Sequence, residues 1–153
     1  MTGPGGRSGS GAGPGGRSES AAGPVADYEA LRHGVGAVRV ERDVVAVSGP
    51  EAVGYLQGQL SQDVAGLGPG ESAPSLILQP QGKVDAWLRV TRTGEDAVVL
   101  DVEGGWGEAV AARLARFKLR SRLEIISLDW RCVALRGPGA VAAAAGAGGG
   151  GPD

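Results

Sequence analysis

Residues 75–92, SLILQPQGKVDAWLRVTR, constrain the fold of this chain more than any other stretch. The run Leu76-Ile77-Leu78 and the alternation Val84, Ala86, Leu88, Val90 flank the polar turn Gln79-Pro80-Gln81-Gly82-Lys83. Side chains alternate faces along a strand, and Gly supplies the positive φ that a tight connection needs, so the stretch predicts a β-hairpin. Such a hairpin has two faces. Val84, Ala86, Leu88 and Val90 point toward a core, while Asp85, a buried-looking Trp87 and Arg89 share the other face. Whether that second face is only solvated or lines a pocket is the functional question.

The flanking sequence extends the pattern. Residues 28–34 (YEALRHG) predict one or two helical turns closed by Gly34, and AVRV at 37–40 and VVAV at 44–47 read as short strands separated by Glu41-Arg42-Asp43. In SGPEAVGYLQGQLSQDV, Ser48 or Gly49 can cap a helix, Pro50 fits its first position and Glu51 suits its positive end. Val53, Leu56 and Leu60 then form one apolar stripe of a helix ending near Ser61. Gly54 and Gly58 lower helix stability, which implies a second backbone passing close by. GLGPGES at 66–72 reads as loop. AVVLDV at 97–102 is a strand, and 106–118 is a helix with Val110, Leu114 and Phe117 on one face. RLEIISL at 122–128 and the apolar strand at 130–135 follow. Hairpins interspersed with helices predict an α+β fold: an antiparallel sheet with two main helices packed on it and a split β-α-β unit.

Composition sets the domain limits. The 29 Gly and 9 Pro concentrate at the ends, and a ten-residue unit repeats as GPGGRSGSGA at 3–12 and GPGGRSESAA at 13–22. Such a segment offers almost no apolar surface to offset the entropy of ordering it, so residues 1–26 are expected to be a disordered tail. Residues 142–153, AAAAGAGGGGPD, begin as a plausible helix and dissolve into Gly. The domain is expected over 27–141, about 110 residues, enough for one small core.

Several function classes are disfavoured. A net charge of −2 argues against a dedicated polyanion binder, DNA included, and 4% aromatic residues argue against a base-stacking platform. The single cysteine, Cys132, excludes an internal disulfide and a multi-cysteine metal site within this chain. No apolar stretch approaches the roughly 20 residues that span a bilayer. The N-terminus lacks the apolar stretch of a secretory signal, so a cytoplasmic location is expected. His33 is the only histidine and no Ser elbow is present, so a nucleophile triad finds no partners. Cys132 reads as a small core residue, and Gly34-Val35-Gly36 without GK[ST] is no phosphate loop.

Three stretches together resemble a known superfamily. VSGPEAVGYLQGQLSQDVAGLGPGE resembles the strand, helix and "L-T-N-D-V…L-x-P-G" stretch that opens the aminomethyltransferase fold of the glycine-cleavage T-protein. SLILQPQGKVDAWLRVTR resembles the hairpin that follows, and WRCVALRGPGA the later "A-L-x-G-P-x-A" segment. Their order and spacing make the resemblance, which covers 34–141, more specific than any one of them. T-proteins carry an Asp-Asp pair in this hairpin, where a carboxylate faces folate and assists one-carbon transfer. Here Ala86 and Trp87 occupy those positions, and neither moves a proton. Gln-Gly-Lys followed by a non-acidic strand resembles the YgfZ-type folate-binding proteins, linked to iron–sulfur enzyme maintenance and tRNA modification. That branch's Lys-Gly-Cys…Gly-Gln-Glu motif lies in a later domain, so the chain is expected to correspond to the N-terminal portion of such a protein.

The resemblance implies tetrahydrofolate as ligand and points to four residues. Lys83 and Arg89 would meet the glutamate tail or the pterin carbonyl, with Trp87 stacking on the rings. Asp101 stands where the T-protein pattern has a folate-contacting Asn, and it is equally readable as a turn residue. The alternative for the whole face is a solvated edge. Arg113, Arg116, Lys118, Arg120 and Arg122 offer an RNA-contacting patch or, more simply, cations favoured at a helix C-terminus. Three functions follow: a non-catalytic folate-binding protein, a folate-dependent aminomethyltransferase or related one-carbon transferase, or an interaction module without ligand.

Overall fold

The computed structural model describes residues 23–147. Along the chain the elements are α1 (Gly23–His33), β1 (Gly36–Val40), β2 (Arg42–Ser48), α2 (Ala52–Gln57), β3 (Ser72–Leu78), β4 (Val84–Arg92), β5 (Ala97–Glu103), α3 (Gly107–Phe117), β6 (Glu124–Leu128), β7 (Cys132–Arg136) and α4 (Ala140–Ala147). Contacts divide the chain into two compact units, Ala37–Ala134 and the two ends, through Gly36 and from Leu135. Of the expected tail, residues 1–22 lie outside the described residues, while 23–26 form the first turn of α1. In the terminal unit, the Gly139 N–H donates to the Gly34 carbonyl at 2.9 Å.

The larger unit is built on a five-stranded sheet in the order β3-β4-β5-β2-β6, with every neighbouring pair antiparallel. β1 and β7 form a second, two-stranded sheet. The hairpin expected from 75–92 is β3–β4. Its turn is closed by Gln79 N–H to the Lys83 carbonyl at 2.8 Å, and Gly82 adopts φ +81°. β5 and β6 run parallel with β2 inserted between them, so β5–α3–β6 is the split β-α-β unit.

One face of the sheet makes the core. Val45, Val47, Leu88, Val90, Val98, Leu100 and Val102 point into it, and Leu56 of α2 with Val110 and Leu114 of α3 close it. Leu56 is fully buried, Leu60 is buried and Val53 packs against the cluster, as the stripe predicts. The Tyr55 hydroxyl donates to the Leu114 carbonyl at 2.5 Å and ties the two helices together. Burial pushes its ionisation up against the pull of Arg113, so the phenol stays a donor.

The helix itself is shorter than its pattern: α2 ends at Gln57, with Gly58 as C-cap. Leu60 instead bridges to Ile77 of β3. The close backbone approach expected at Gly54 and Gly58 is absent, since a side chain at Gly54 would meet open space and one at Gly58 only the carbonyl of Tyr55. The crowded glycine beside this helix is instead Gly49, which precedes it at φ +127° with the Arg122 carbonyl 2.6 Å from where a Cβ would sit. Phe117 is not core either; it is 47% exposed and lies under the Arg113 guanidinium, at 5.5 Å.

Two polar anchors hold loops to this frame. Asp43 of β2 accepts from the backbone N–H groups of Gly105 and Gly107, both at 2.8 Å, and so satisfies the first N–H of α3 and one in the turn before it. Arg92 donates to the carbonyls of Leu67 at 2.7 Å and Glu95 at 3.0 Å, fixing the loops at the far end of β4.

Candidate functional site

The second face of the sheet carries the site residues. Along β4 the core side takes Leu88 and Val90, so Trp87 and Arg89 point the other way. Trp87 is 54% exposed, not buried, because no helix of this unit covers that face. Asp85 departs from the expected alternation. The β3–β4 register slips between Ile77 and Leu78, where Ile77 faces Ala86 and Leu78 faces Val84, leaving Asp85 as an extra residue. A bulge re-aims the side chain it carries. Asp85 accordingly pairs with Arg113 of α3 at 3.0 Å and accepts from Gln79 at 3.2 Å.

Around Trp87 the sheet brings together residues far apart in sequence. Arg89 and Asp101 are cross-strand partners in β4–β5, so their side chains emerge on one face. Arg42 faces Glu103 in β2–β5 and reaches two pairs along, on the same face, to Asp101. Its Nε donates to the Asp101 carboxylate at 2.5 Å and its Nη2 to the Asp101 carbonyl at 2.8 Å. The same guanidinium lies 5.5 Å from the Trp87 ring centroid, in cation–π range. Trp87, Arg42 and Asp101 thus form one polar-aromatic cluster spanning three strands.

Arg89 is exposed and, among the described residues, its side chain makes no hydrogen bond or ion pair. Lys83 is exposed in the hairpin turn, roughly 13 Å of strand from Trp87 at ~3.3 Å per residue. The fold therefore gathers Trp87, Arg89 and Asp101 and leaves Lys83 at the end of the hairpin.

Nothing local marks Arg42 in the sequence, where 41–43 is only a charged break between strands. Cys132, expected in the core, is half-buried and borders the cluster. Burial first pushes its thiol pKa up, the Asp101 carboxylate raises it further, and Arg42 opposes both. Cys132 also lines a cavity of about 290 Å³ walled by Arg39, Arg42, Asp129, Trp130 and Arg131. A second cavity, about 160 Å³, is lined by Val84, Asp85, Ala86, Trp87, Glu103 and Trp106. Among the described residues no group of His, Cys, Asp and Glu is arranged to hold a metal ion.

Comparison with known proteins agrees with this architecture. The Bartonella henselae glycine cleavage system aminomethyltransferase T matches with a TM-score of 0.71 at 29% identity, over 84% of this chain and 36% of that one. The chain has the aminomethyltransferase fold. It is 29% identical over 121 residues to an aminomethyltransferase of Bordetella avium, covering 76% of this chain and 33% of that protein. An uncharacterized protein of Haemophilus influenzae is 27% identical over 94 residues, 61% of this chain and 34% of its own. No family model matches. The chain spans about a third of the length of these relatives. No helix of the described residues is long and apolar enough to cross a membrane.

Proposed function

We propose that this chain is a non-catalytic tetrahydrofolate-binding unit of the YgfZ type. The observation that carries the reading is Trp87. Where the T-protein pattern carries a carboxylate, this chain offers a half-exposed indole on the sheet face opposite α2 and α3, beside a carboxylate already held by Arg42. An indole stacks on a flat heterocycle and cannot act as acid or base, so the residue suits holding folate better than transforming it. Asp101 and Arg42 supply an acceptor and donors beside the ring, and Arg89 supplies an unpaired cation for a carboxylate of the glutamyl tail.

The resemblance to YgfZ-type proteins extends the proposal to iron–sulfur protein maintenance and tRNA modification, with iron–sulfur enzymes or tRNA as partners. The structure narrows the cations available for RNA. Arg113 is taken by Asp85 and the Leu78 carbonyl, and Arg122 pairs with Glu51, which leaves Arg116, Lys118 and Arg120.

The second reading, a folate-dependent one-carbon transferase, is favoured by the Bordetella avium relative, which is named an aminomethyltransferase. Calorimetric titration with tetrahydrofolate, followed by an assay for one-carbon transfer, separates the two. Binding without transfer is expected; transfer by the unaltered protein would establish the enzyme reading, and absence of binding would leave an interaction module.

A further inference from the structure

We infer that the ring of the ligand enters the cavity between Trp87 and Trp106, and that Glu103 selects a ring with an amino-pyrimidine edge. This rests on the folate reading above and goes further by naming which cavity takes the ring and what reads its edge. The cavity is lined by two of the protein's three tryptophans, each about half exposed at 54% and 53%. Exposed indoles sharing one recess in so aromatic-poor a chain make a slot for a flat, electron-poor or cationic ring. Ala86 is small enough to leave the floor of the slot open, with Val84 beside it.

Size limits the occupant. About 160 Å³ falls below the roughly 300–1,000 Å³ of sites for drug-sized ligands, so the slot takes a single ring system and leaves the rest of a folate outside. Arg89, in the direction of Asp101, lies on the open face where that remainder would run.

Glu103 provides the chemistry. The β4–β5 register pairs Leu88 with Val102, and continuing it by one residue sets Glu103 opposite Trp87. Two carboxylates line the cavity. That of Asp85 is committed to Arg113 and Gln79, whereas the Glu103 side chain has no hydrogen bond or ion pair among the described residues. An ionised carboxylate only accepts, and it accepts two parallel N–H bonds well. A 2-amino-4-oxopteridine presents such a pair, its exocyclic amino group and the adjacent ring N–H. Lumazine, with a carbonyl oxygen in place of the amino group, presents an acceptor there and repels the carboxylate. Trp106 holds its place because it precedes α3, with its own N–H bonded to the Glu103 carbonyl at 3.1 Å.

The test follows the three indole N–H resonances of the full chain by NMR during titration with tetrahydrofolate, pterin and lumazine. The resonances of Trp87 and Trp106 should move with tetrahydrofolate and pterin, and that of Trp130 should not. Pterin should bind about tenfold tighter than lumazine, the worth of one charge-assisted hydrogen bond, and Glu103→Gln should erase that preference. Trp106→Ala should weaken both rings alike, and unchanged thermal melting of both variants shows that the fold is intact. If tetrahydrofolate binds but the Trp106 resonance stays still, or Glu103→Gln keeps the preference, the slot is not the ring site and the reading of Trp87 survives. If tetrahydrofolate does not bind, both fall together.

Discussion

The two faces of the five-stranded sheet are made by the same strands and have opposite characters. On one, eight strand residues and the helices α2 and α3 bury a continuous aliphatic cluster with no charged side chain in it. On the other, Trp87 and Arg89 stand in solvent and Arg42 and Asp101 meet at 19% and 28% side-chain exposure. Alternation in a strand makes this division cheap, because every second residue is free of the demands of the core. The stability of the domain resides on the first face, and the proposed chemistry resides on the second. Mutations should therefore separate the two properties.

The largest expected effect is on the helical side. Leu56→Ala empties a fully buried position between α2 and the sheet and should lower stability by ~2–5 kcal/mol in denaturant unfolding. A change within about 0.5 kcal/mol, typical of surface positions, would mean that the first face is not the core. Next comes Asp43→Ala, which strips the acceptor from two N–H groups at the start of α3. Losses of about 0.5–2 kcal/mol are usual for such caps, and Asp43→Asn, which keeps an oxygen acceptor, should recover most of it. Equal losses in the two variants would assign the effect to packing instead.

Trp87→Ala inverts the pattern. Stability should stay within about 0.5 kcal/mol, because the indole is half in water. Affinity for tetrahydrofolate should fall roughly three- to tenfold, the worth of one aromatic contact at ~0.5–1.5 kcal/mol. If the variant melts several degrees lower and binds as before, the second face is scaffold and the comparison between faces collapses.

What the sequence revealed follows the same line. Local patterns were legible: the hairpin from its alternation and Gly82, the stripe of Leu56 and Leu60, the split unit from the order of strands and helices. The cluster was not, because Arg42 and Asp101 lie 59 residues apart and meet only through the insertion of β2 beside β5. The path of Asp85 was hidden for a different reason. Its alternation with Trp87 is intact in the sequence, and only the slip in the β3–β4 register sends it to Arg113. Cys132 read as core because its neighbours are apolar, yet its strand pairs with β1 in the two-stranded sheet instead of joining the larger one.

The smallest expected effect tests how far the polar cluster reaches. Burial and then the Asp101 carboxylate hold the Cys132 thiol above its ordinary ionisation, against Arg42. The folded state therefore keeps that proton more tightly than the unfolded chain. Any stability this contributes is complete below the unfolded thiol's pKa and is lost as pH rises through the folded value, so it leaves neutral pH untouched. Reactivity is the sensitive readout, since only the thiolate is alkylated. At pH 8 iodoacetamide should modify Cys132 more slowly in the folded protein than in the same chain unfolded in urea. Asp101→Asn removes one cause of the rise and leaves the Arg42 charge uncompensated, so alkylation should accelerate. Arg42→Gln removes the opposing charge, so alkylation should slow further. Equal alkylation rates in the two variants and the unaltered protein would show that Cys132 lies outside the field of the ion pair, and that the polar cluster stops at the edge of the five-stranded sheet.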